Sequence, residues 1–161
     1  MTHRKGKNPL WPLTLDQLHQ DCKEWLGLVG YWKYELQYLS KLSKHFLIQP
    51  LSEKQGSELR HLFNDLSCRL RPEIRSIEGW IYAFSRQLAQ LFIEGGNGRP
   101  KNASEHRTLY RKIDTFRKEL GKIKAQLYAL LVDVLKAESN NSYHYRPIWT
   151  HRQYERLKNI G

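Results

Sequence analysis

The chain of 161 residues carries 27 Lys and Arg against 16 Asp and Glu, a formal net charge of +11, and 40% of it is hydrophobic. That is one ordinary domain, long enough to bury a core and too apolar for wholesale disorder. Ten Gly and six Pro exclude collagen-like and Pro-rich architectures, and two cysteines are too few for a disulfide scaffold.

The amino-terminal stretch MTHRKGKNPLWPL is basic and has no apolar h-region, so no secretory signal is read there. The longest uncharged runs, such as Trp25 to Trp32, are far short of the roughly 20 apolar residues of a spanning helix. The expectation is a soluble, cytoplasmic protein with reduced thiols and no membrane partner. Residues 1–13 read as a basic extension, 14–139 as a helical bundle, and 140–161 as a loop with a short terminal helix.

Apolar residues in the first segment recur at steps of three and four: Leu15, Leu18, Cys22, Trp25, Val29, Trp32, Leu36, Leu39, then Ser43 and Phe46. Thr14 with Gln17 has the capping-box spacing, and Pro50 stops the run, which predicts a helix over 14–48. A second stripe follows Ser52: Leu59, Phe63, Leu66, Leu70, Ile74, Ile77, Ile81, Phe84, Leu88 and Leu91. Two consecutive steps of four, Leu66 to Leu70 to Ile74, form a stutter with Pro72 inside it. A proline there predicts a kink or a break in the second helix. The linker EGGNGRPKN, 94–102, leaves no helical option. Ser104 then caps a third stripe, Leu109, Ile113, Phe116, Leu120, Ile123, Leu127, Leu130, Val134 and Ala137, which predicts a helix over 104–138. The tail supplies Ile148, Trp149, Tyr154, Leu157 and Ile160 for a short helix from Thr150.

Three long heptad helices with short connections specify an all-α, elongated antiparallel bundle, the second helix kinked or broken at Pro72, plus a short C-terminal helix. In such a rod, residues pair by level. A turn centred near residue 49 sets Cys22 and Cys68 roughly 13 Å apart along the axis, so they are expected to stay unpaired.

No convergent catalytic or metal constellation is legible. Glu58 with His61, and Asp16 with His19, have the spacing used by di-metal bundles, but the pairs sit toward opposite ends of the rod and off the core stripe. Asp16, His19 and Cys22 drift about 60° per step around the helix and do not converge. The chain is therefore read as no enzyme, with no metal or cofactor.

The charge is uneven. Residues 14–98 sum to zero, whereas 99–139 carry +5. Arg107, Arg111, Lys118 and Lys122 fall within about 60° of one another, opposite the apolar stripe of their helix. The bundle topology gathers Arg4, Lys5, Lys7, Arg99, Lys101, Arg107 and Arg111 at one pole. These residues, with Lys118 and Lys122, are the candidate contacts to an RNA or DNA backbone; a solvated face that keeps the chain dispersed is the simpler reading. The first helix also bears a second apolar face, Leu28, Tyr31, Tyr34 and Tyr38. Its expected cover is the chain's own tail through Trp149 and Tyr154, or a second copy, the remaining alternative being no cover at all. The primary functional expectation is a non-enzymatic helical interaction or scaffold module that self-associates or docks a protein partner. The alternative is a nucleic-acid-binding accessory protein.

Overall fold

Thr14 opens the first helix as the spacing predicts. Its hydroxyl accepts from the Gln17 amide at 3.2 Å, and the Gln17 side chain accepts from the Thr14 amide at 2.9 Å. The computed structural model describes residues 14–95 and 99–142. Within them lie α1 (Leu15–Leu47), α2 (Glu53–Asn64), a π-helical turn (Asp65–Leu70), α3 (Arg71–Ile93) and α4 (Arg99–Ser142). No strand is present among the described residues. Residues 1–13 and the predicted short C-terminal helix lie outside them.

The order is up, down, up. His106 of α4 stacks on Trp25, Phe116 lies against Trp32, and Lys124 bonds Glu35, so α1 and α4 run in the same direction. Lys33 pairs with Glu78, Trp80 with Lys112, and Arg69 with Glu119, so α3 runs against both. The straight-rod register needs correcting: Lys33 meets Glu78 rather than residue 65. Counting from a tight turn at residue 49 misplaces the level by 13 residues, far more than the one extra residue of the π turn supplies, so the error lies mainly in taking the rods as straight and level at that turn.

The predicted stripes form the core. Leu18, Cys22, Trp25, Val29, Trp32, Leu36 and Leu39 of α1 are buried against Leu66, Leu70, Ile74, Ile77, Ile81, Phe84 and Leu88, with Leu109 through Val134 of α4 closing the third side. The offset Trp32–Phe116 pair, 5.3 Å between centroids, adds about 0.5–1.5 kcal/mol beyond its area. Ser43 is fully buried on the same stripe, and its hydroxyl donates to the Leu39 carbonyl at 2.8 Å, so no polar atom is stranded.

The stutter is absorbed without a break. The chain stays helical from Glu53 to Ile93, and the six-residue π turn takes up the extra residue between Leu66 and Ile74. Pro72 follows at once as the second residue of α3, where a missing N–H is tolerated. Upstream of that turn Leu59 is buried as predicted, and the next core position falls one residue earlier than predicted. Leu62 is buried and Phe63 only half so, which corrects the predicted Phe63.

Gly95, at φ 67°, ends α3 in the left-handed conformation that favours glycine. The predicted linker is too long. Helix α4 already includes Arg99 to Asn102, because Pro100 sits in the first turn, where it does no harm, and it continues to Ser142 rather than 138. Ala137 is exposed, not core.

Candidate interaction surfaces

The predicted tyrosine face exists and is bare. Leu28, Tyr31, Tyr34 and Tyr38 are 42%, 61%, 77% and 58% exposed. The bundle divides it in two. Tyr31 and Tyr38 lie within about 20° of each other on α1, and Tyr34 sits 40–60° farther toward α3. The first pair shares a flank with α4. Lys124 bonds Glu35 at 2.7 Å, which holds its ammonium above the ordinary lysine pKa, and the Tyr31 and Tyr128 phenols lie close enough to add to that effect. Tyr128 and Leu135 of α4 are also exposed, whereas Leu131 between them is buried. Helix α1 packs chiefly on α3 and touches α4 less, so this flank is an open seam lined by Leu28, Tyr31, Tyr38 and Tyr128. Glu35 pairs with Lys124 and Asp21 with His106 across it, Asp114 holds both Arg117 and Lys118, and Glu24, one heptad before Tyr31, makes no ion pair among the described residues. Trp149 and Tyr154, the predicted cover, lie outside the described residues.

The basic ridge of α4 also faces outward. Arg107, Arg111, Lys118 and Lys122 are all exposed. Two of them are partly engaged. Arg107 donates to the Ala103 carbonyl at 3.2 Å, and Lys118 pairs with Asp114 at 2.6 Å. These cations, Lys118 first, hold the Asp114 carboxyl below its usual range. Arg4, Lys5 and Lys7 lie outside the described residues, as do the side chains of Arg99 and Lys101, so the predicted basic pole is represented by Arg107 and Arg111 alone.

Sequence reasoning missed the only buried histidine among the described residues. His106 occupies the heptad position before Leu109, so the spacing contained the signal. Its ring stacks on Trp25 at 4.8 Å and lies 6.3 Å from Phe84, and Nε2 donates to Asp21 Oδ2 at 2.7 Å. The cluster pins the start of α4 to the start of α1. It is not assembled as a nucleophilic site. Burial, with the Asp21 charge, pushes the neighbouring Cys22 thiol up to about 11, so it stays protonated. Cys22 and Cys68 are both free, the first buried and the second exposed.

The reading also missed a groove between α1 and α3. Lys33, Tyr34 and Gln37 on one side face Arg71 and Arg75 on the other, around a space of about 550 Å³ floored by Leu36 and Ile74. A smaller cleft of about 310 Å³ lies between α3 and α4, where Lys112 sits 4.0 Å over the Trp80 ring. Among the described residues no three metal-ligating side chains come together, and no helix is long and apolar enough to cross a membrane.

Comparison with family models, with curated proteins and with solved structures finds no match to this chain.

Proposed function

We propose that this chain is a non-enzymatic helical interaction module that pairs with a second copy of itself along the α1–α4 seam. The observation that carries the reading is the exposure of Leu28, Tyr31, Tyr38 and Tyr128 on a flank where Glu35 and Asp21 are each paired across to α4. Two copies of a chain with net charge +11 repel one another over most of their surface. The seam is the flank on which they can approach with apolar surface leading. Exposed aromatic patches of this kind are typical of interface cores.

Light scattering at low and high protein concentration tests it. The expected result is a mass that rises toward the dimer, and a Tyr31→Glu/Tyr38→Glu variant that remains a monomer with unchanged helix content. A wild-type chain that stays monomeric throughout overturns the self-association reading.

A second reading, contact with a nucleic-acid backbone through α4, rests on the four exposed cations Arg107, Arg111, Lys118 and Lys122. Loss of binding to unrelated RNA on reversing Arg111 and Lys122 to Glu supports it, and retention of binding opposes it.

A further inference from the structure

We propose that the flank between α1 and α3 binds single-stranded nucleic acid, with Arg71 and Arg75 on phosphates and Tyr34 under a base. This site is separate from the self-association seam and does not depend on it. It also lies on different helices from the α4 ridge.

Charge on α1 is sorted around the rod rather than along it. Asp21 and Glu35 reach α4, where they meet His106 and Lys124. Lys33 reaches α3, where it meets Glu78 at 3.1 Å. On the facing side, Arg71 and Arg75 are one helical turn apart and line the groove, and neither makes an ion pair among the described residues. At 100° per residue, Arg71, Arg75, Tyr82 and Arg86 fall within about 60° of one another over about 22 Å of α3; Glu78 lies beside this line, and its carboxylate is taken up by Lys33. That length suits the short end of single-strand sites, about four nucleotides.

Aromatic groups decide the strand number. Tyr34 is 77% exposed beside the groove, and Tyr82 is 51% exposed on the α3 track. A duplex hides its base faces and leaves such rings without a partner, whereas every unpaired base offers one. On α4 the exposed Tyr110 lies about 60–120° off the line of the four cations rather than on it. An acidic peptide meets the arginines but has no use for the tyrosines.

The test is fluorescence anisotropy of the full chain with a labelled oligonucleotide of about a dozen nucleotides, single-stranded and duplex, over a salt series. The single strand is expected to bind more tightly than the duplex, with affinity falling as salt rises. Arg71→Glu/Arg75→Glu is expected to weaken binding at least about tenfold and to make the salt slope shallower by about 1.4, the counterion release of two phosphates. Tyr34→Ala is expected to weaken it about tenfold with the slope unchanged, because stacking releases no ions. An Arg111→Glu/Lys122→Glu variant carries the same change in net charge and separates the groove from the α4 ridge: it is expected to lose less affinity than Arg71→Glu/Arg75→Glu. Arg75→Glu/Arg86→Glu repeats the charge test away from the π turn, and circular dichroism confirms that each variant is folded. Absence of binding at low salt overturns the proposal. So does tighter binding to the duplex, equal competition by polyglutamate, or loss of binding only in the Arg111/Lys122 variant.

Discussion

His106 shows how one polar residue can organise one end of an apolar bundle. Its imidazole fills a heptad position, contacts two aromatic rings, and spends its outward nitrogen on Asp21. Truncating it removes a buried ring and a charge-assisted bond together. His106→Ala is therefore expected to cost about 2–4 kcal/mol, read as a lower urea midpoint with an unchanged slope. Trp25→Ala acts on the same cluster, so the two losses are expected not to add in the double variant. The cysteines differ in the opposite sense from what a reactive site requires. Cys22 is buried with a pKa near 11 and Cys68 is exposed. A thiol reagent is expected to modify one sulfur quickly under native conditions and the second only on unfolding. Substituting Cys68→Ser should remove the fast phase.

At the scale of elements, most of the fold was legible because apolar steps of three and four have only one helical solution. The stripes of α1 and α4 and the capping box at Thr14 are where the periodicity puts them. Legibility failed where two local rules competed. Steps of four at Leu66, Leu70 and Ile74 and a proline at 72 both point to a disturbance, but neither says that a wide turn resolves it before the proline arrives. A proline in the middle of an α-helix costs about 3 kcal/mol relative to alanine. With the ring placed in the first turn after the π segment, that cost is largely absent. Pro72→Ala is expected to change stability by less than about 1 kcal/mol in urea denaturation, and a gain near the full mid-helix value would mean that the clash persists. The start of α4 is illegible for a related reason: Gly and Pro together signal a loop, whereas Pro100 in a first turn is compatible with a helix.

At the scale of the whole molecule, the candidate sites were legible only in part. Charge summed along the chain makes residues 14–98 neutral and hides the groove entirely. Arg71 and Arg75 meet Lys33 and Tyr34 only when α3 is laid beside α1; there Glu78 takes up Lys33 and leaves the two arginines without an ion pair, while Asp21 and Glu35 are turned to the opposite flank. The tyrosines suffered the same loss. They belong to one run of sequence, yet Tyr31 and Tyr38 edge one inter-helix valley while Tyr34 edges another. The π turn has a bearing on how this surface can change over time. A deletion between Leu62 and Arg71 but outside that turn rotates one half against the other by about 100°, carrying Arg71 and Arg75 away from α1 or Leu59 and Leu62 out of the interior. Within Asp65–Leu70 the loss of one residue can be taken up by rewinding to ordinary α geometry, leaving both halves in phase. The widened turn is thus the one stretch of that rod where the chain can shorten without twisting its two ends out of alignment.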